Sequence, residues 1–122
     1  MLRRIKTIVA AAALAVGTAG PALAGYGAFA TDEATGKFGL SWNEETQSRA
    51  DEVAIKDCGG GSCKVRFRAG PRQCEAVATP EQGSAIGAAY RPSRDAAALA
   101  AINDCQKRTK AQCKVRTSGC NR

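Results

Sequence analysis

Six cysteines are the residues in this chain whose type and spacing point most directly to chemistry, and they stand at Cys58, Cys63, Cys74, Cys105, Cys113 and Cys120. Cysteine does three kinds of work in proteins: thiolate nucleophile or redox couple, metal ligand, and structural bridge. A metal site usually adds imidazoles or a C-x2-C pair, and this sequence has no histidine and no such pair. A redox couple favours two residues between the thiols, whereas Cys58 and Cys63 are separated by Gly-Gly-Gly-Ser. An even count in a short chain reads instead as a disulfide framework. The count alone leaves many connectivities open.

Other catalytic arrangements are sparse. Without histidine the common serine or cysteine triad has no base. Acidic pairs occur at Asp32/Glu33, Glu44/Glu45 and Asp51/Glu52. Two carboxylates can hydrolyse a glycoside, but adjacent acids in turns and helix starts ordinarily serve as caps or solvated charges. Gly59, Gly60 and Gly61 lack the Lys-Ser/Thr that completes a phosphate loop. No cofactor, metal or catalytic residue is therefore expected.

Ahead of any cysteine, Arg3, Arg4 and Lys6 precede an apolar run from Ile8 to Val16, and Ala22-Leu23-Ala24 fits a cleavage site. Residues Met1 to Ala24 are expected to be a signal peptide, because the run is too short to span a bilayer. That places the remaining chain in the periplasm or outside the cell, with no membrane span after cleavage. The leader takes three positive charges from the +7 total and leaves +4 on residues 25–122, a mildly basic balance without a nucleic-acid arm.

The elements that position the cysteines are written twice. Residues 25–31 and 37–42 alternate like two strands around the Thr35-Gly36 turn, with Phe38, Leu40 and Trp42 on one face. Thr46 or Ser48 starts a helix carrying Ala50, Val53, Ala54 and Cys58 at helical spacing, and the triple glycine stops it. Cys63 to Arg68 then alternates again. After Gly70-Pro71 the order returns: Ala76 to Thr79 repeat Ala28 to Thr31 at an offset of 48, Tyr90 takes the place of Trp42, and Ser93 starts a helix from Arg94 to about Lys107. Cys113 opens the closing strand.

This is β-β-α-β twice, over 25–73 and 74–122. Neither half has enough apolar residues to fold alone, so one shared domain is expected, an α+β fold with a single sheet and both helices on one face. The helix-to-strand links make Cys58 with Cys63 and Cys105 with Cys113 the economical pairs. Cys74 and Cys120 are then expected to join the halves.

At these residues the chain resembles the bacterial "domain of unknown function 4189" family. The resemblance lies in Tyr26-Gly27-Ala28-Phe29-Ala30, the hairpin through Gly39 and Trp42, the alanine-rich helix ending at Cys58, the glycine link to Cys63-Lys64-Val65, Cys74 leading into Glu75 to Ala78, and the Cys105 to Cys113 unit. It implies a small exported domain with no assigned activity.

Two binding surfaces follow from the alternation. Lys64, Arg66, Arg68, Lys114 and Arg116 would form a basic patch for an anionic partner if their strands lay together. Trp42 and Tyr90, at equivalent strand ends, would flank a groove. The functional expectation is a non-enzymatic exported binding domain acting on a protein or an anionic envelope component. Its alternatives are a periplasmic inhibitor or immunity-type protein against a secreted hydrolase, and a small carboxylate-dependent hydrolase.

Overall fold

The computed structural model describes residues 25–122, so the expected leader lies outside the described residues. The elements are β1 (Tyr26–Asp32), β2 (Lys37–Glu44), α1 (Gln47–Cys58), β3 (Lys64–Ala69), β4 (Cys74–Pro80), β5 (Gly87–Arg91), α2 (Arg94–Gln106) and β6 (Cys113–Cys120). Local chemistry sets the helix ends. The Thr46 hydroxyl accepts from Arg49 N–H, the Ser93 hydroxyl accepts from Ala96 N–H, and Gly59 ends α1 in the left-handed conformation at φ 119°.

The strands form two antiparallel sheets, ordered β2-β1-β3 and β5-β4-β6, and not the single sheet expected. The reason lies in the central strands, which bury both faces. Ala28 and Ala30 pack under Ala50 and Ala54 of α1, while Ala76 and Ala78 pack under Ala97 and Ala101 of α2. On the opposite faces, Phe29 and Leu40 meet Val77 across the gap between the sheets. A single sheet with both helices on one side would leave that second apolar face in water. The layers therefore run α1, first sheet, second sheet, α2.

Small residues let each helix lie close to its sheet. A Cβ at Gly39 would strike Ala54 O and Cys58 N, and one at Gly87 would strike Ala101 O and Cys105 N. Each helix also covers the edge strand beside it. Asp57 Oδ2 accepts from Leu40 N–H at 3.0 Å, and Asp104 Oδ2 accepts from Ala88 N–H at 3.1 Å. Both bonds occupy an edge donor that another strand would otherwise seek.

All six cysteines are bridged, as Cys58–Cys63, Cys105–Cys113 and Cys74–Cys120. The first two tie a helix end to the following strand. The third does not join the halves, because Cys74 and Cys120 are cross-strand neighbours on β4 and β6 of one sheet. The halves are joined by the apolar gap and by two asparagines. Asn43 N–H donates to Asn121 Oδ1 at 2.8 Å, Arg122 N–H donates to Asn43 Oδ1 at 2.7 Å, and Asn121 Nδ2 donates to Ala69 O and Gly70 O. Asn43 reaches this position at φ 58°, a conformation asparagine tolerates better than most residues.

Candidate functional site

The basic row does not assemble. Pairing shifts at Arg66, between Phe29↔Phe67 and Ala30↔Val65, and again at Arg116, between Val77↔Thr117 and Ala78↔Val115. Each extra residue is a β-bulge that breaks the two-residue alternation. Val65 therefore packs toward α1 while Phe67 faces the other sheet. Arg68 turns to the helix side and grips Asp51 through Nε and Nη2, the shortest contact being 2.8 Å. Arg66 donates to Thr31 Oγ1 and pairs with Glu33 at 3.2 Å, and Arg116 repeats this with Thr79 and Glu81 at 3.6 Å.

The two strands are also far apart. β3 lies against β5, where Phe67 meets Tyr90 at 4.9 Å, whereas β6 lies against β2, where Gly119 sits under Trp42. Lys64 and Arg66 thus occupy one edge of the sandwich, and Lys114 and Arg116 the other. Trp42 and Tyr90 are divided in the same way, Trp42 lying over Gly119 on β6 and Tyr90 against Phe67 on β3.

The acidic pairs are dispersed as well. Asp32 and Glu33 close the first hairpin, Glu44 faces Arg49 at 3.9 Å, Glu45 is exposed, and Asp51 holds Arg68. Among the described residues, no group of three or more Cys, Asp or Glu is placed to hold a metal ion, and no helix is long and apolar enough to cross a membrane.

What the fold does create is a cleft of about 550 Å³ at the β3/β5 edge. Its floor is Phe29, Phe67, Ile86 and Ala88, and its rim carries Arg66 with Glu33 and Arg108 with Asp104. A second depression of about 380 Å³ shares Phe67, Ala88 and Asp104 with it and adds Arg91 and Lys107. The cleft exists where the halves differ. Ala88 holds the strand position that Leu40 holds in the first half, and Leu40 fills its space, buried against Phe29 and Val77. The sequence carried this signal in the alignment of the halves, as a large residue replaced by a small one.

A second feature was absent from the candidate residues. Glu75, on central strand β4, is 0% exposed, and neither of its carboxyl oxygens has a hydrogen-bond partner. Burial alone pushes its pKa from 4.5 up to about 8, so the side chain is largely neutral at pH 7. Room for it comes from Gly27 on the facing sheet, where a Cβ would collide with Glu75 Oε2. The clue was the same 48-residue offset, which places glycine and glutamate at equivalent positions.

The chain is similar to the protein in the NMR structure of Rv1813c from Mycobacterium tuberculosis, with a TM-score of 0.59 and 28% sequence identity over 91% of this chain and 97% of that one. No curated protein matches it. The family described as Domain of unknown function (DUF4189) matches residues 26–120, from the first residue of β1 to the last of β6, and the chain belongs to that family.

Proposed function

We propose that this domain is an exported, disulfide-braced binding module, and that its ligand is an amphipathic anion seated in the β3/β5 edge cleft. The observation that carries the reading is the cleft itself: an apolar floor under a rim where Arg66 and Arg108 stand beside Glu33 and Asp104, with Arg91 and Lys107 lining the adjoining depression. Its volume falls in the range of small-molecule sites, which pair an apolar lining with a few placed polar groups. An acyl or aromatic body would cover Phe29, Phe67 and Ile86, and an acidic group would meet the guanidinium of Arg66 or Arg108. Each guanidinium presents five N–H donors, so the pairs with Glu33 and Asp104 leave capacity for a ligand oxygen. An envelope component with an apolar body and an acidic head has this chemistry. The bridges and the expected leader support export.

The test uses anilinonaphthalene sulfonate as an amphipathic anionic probe. Saturable fluorescence enhancement is expected with the oxidised protein. Ala88→Leu, which restores the residue of the other half, should abolish it without loss of stability, and Arg108→Glu should weaken it. Unchanged binding by Ala88→Leu would remove the reading.

A further inference from the structure

Glu75 belongs to no surface site, and its surroundings give it a different role. Along β4 its cross-strand neighbours are Tyr90 and Gly119, and across the gap it faces Gly27. The ring of Trp42 lies over Gly119, where a Cβ would fall among the indole carbons. One layer of the sandwich thus holds a carboxyl group between two half-exposed aromatic residues, Trp42 at 37% and Tyr90 at 38% exposure.

The two covers are not equally secure. Tyr90 meets Phe67 with its ring tilted by 45°, and Phe67 in turn stacks on Phe29 at 5.1 Å, so that side is a continuous aromatic row. Trp42 covers a residue with no side chain. The backbone on that side is held by the Asn43 and Asn121 bonds, independently of the ring.

We propose that Glu75 and Trp42 form a pH-operated gate: with the carboxyl neutral the indole closes over Gly119, and with the carboxyl ionised the indole moves aside and admits water to the gap between the sheets. A buried carboxylate that accepts no hydrogen bond has to be hydrated once it ionises, and the half-exposed Trp42 stands between this layer and solvent. The groups around Glu75 leave few competing titrations. β1 presents Gly27, β2 presents Trp42, β6 presents Gly119, and α1 sends Gln47 to Gly27 O at 3.0 Å. Tyr90 on β5 is the one titratable neighbour among these described residues. Arg68 on β3 lies on the helix side with Asp51, and the backbone N–H of Arg122 donates to Asn43 Oδ1. Removal of the Glu75 proton is therefore the event that the gate reads.

Trp42 is the sole tryptophan of the sequence, so the gate carries its own reporter. The experiment records emission and acrylamide quenching of the oxidised protein from about pH 5 to about pH 9, short of the phenol range. A red shift and at least a doubling of the quenching constant are expected, centred near pH 8 where the raised pKa lies. Glu75→Gln should stay at the closed level throughout. The ¹³Cδ shift of Glu75 in the unmodified protein should titrate with the same midpoint, a readout that stands even if the variant does not fold. Flat tryptophan emission, the same transition in Glu75→Gln, or a Glu75 ¹³Cδ midpoint in the ordinary carboxyl range would each overturn the gate.

Discussion

Replacing Gly39 by alanine should cost far more than the added methyl group suggests. The new Cβ would meet backbone, not the end of a flexible side chain: Ala54 O, Cys58 N and, at 2.9 Å, Asp57 C. Helix α1 has little freedom to retreat. Its C-terminal end is bridged through Cys58 to Cys63, and nearer its start Ser41 Oγ donates to Ala50 O at 2.7 Å. Relief requires lifting the C-terminal half of the helix off β2, which separates Asp57 from Leu40 N–H and opens the packing around Ala54. Overpacking a tight contact costs about 1–3 kcal/mol, and a lost hydrogen bond to a charged group adds roughly 1.5–3. The expected sum is roughly 3–5 kcal/mol, against a total stability of about 5–15 kcal/mol for a domain of this size. In a thermal scan that is a fall of roughly 15–30 °C. Urea unfolding of the oxidised protein, followed by circular dichroism, gives the free energy directly. Two controls isolate the cause. Gly70 has only Gln73 Oε1 within reach, at 3.9 Å, so Gly70→Ala should stay within about 0.5 kcal/mol of the parent. Gly60 stands in open space but at φ 72°, so Gly60→Ala should cost about 1–2 kcal/mol from backbone conformation alone. A Gly39→Ala protein within about 1 kcal/mol of the parent, or no worse than Gly60→Ala, would show that close helix approach does not govern stability.

The buried glutamate sets an unusual pH dependence. Its folded pKa is raised from 4.5 to about 8, so its contribution is fully present below about pH 4.5 and is lost as pH rises through 8. Integrated over the shift this is on the order of 3–5 kcal/mol, and urea midpoints at pH 5 and pH 9 should differ accordingly in the parent and much less in Glu75→Gln. Asn121→Ala removes one acceptor and two donor bonds between the chain end and the first half, and should destabilise by roughly 2–4 kcal/mol in the same assay. Unchanged amide exchange at Asn43 in that variant would refute the role of Asn121 in joining the halves.

The order of elements was legible because its signals are local. Thr46 and Ser93 are caps, Gly59 is a left-handed stop, and the cysteines at helix ends stand beside the strands they bridge. The number of sheets was not legible, since an alanine-rich strand reads the same whether one face or both are covered. Neither were the bulges. Lys64-Val65-Arg66-Phe67-Arg68 alternates without fault, and only pairing with β1 shows that Arg66 is the extra residue. That single shift sends Arg68 to the helix side and dissolves the basic patch. Glu75 was not legible either, since nothing in the residues beside it marks a strand carboxyl group as buried.

Comparison of the two halves separates what holds the fold from what the fold can do. Gly39 and Gly87, Asp57 and Asp104, Thr31 with Arg66 and Thr79 with Arg116 all occupy equivalent places and do equivalent work, seating a helix, covering a strand edge or closing a bulge. A ligand site has no need of such symmetry, and both candidate functional features sit where it fails. Leu40 answers to Ala88, and the lost volume is the cleft. Gly27 answers to Glu75, and the two face each other between the sheets. Glycine at both positions would leave a void, whereas two glutamates would place carboxyl groups in the same space. The mixed pair avoids both penalties and leaves one ionisable group inside an otherwise apolar gap. Substitutions at the matched positions should therefore register first in stability, and those at Ala88 and Glu75 first in binding and pH response.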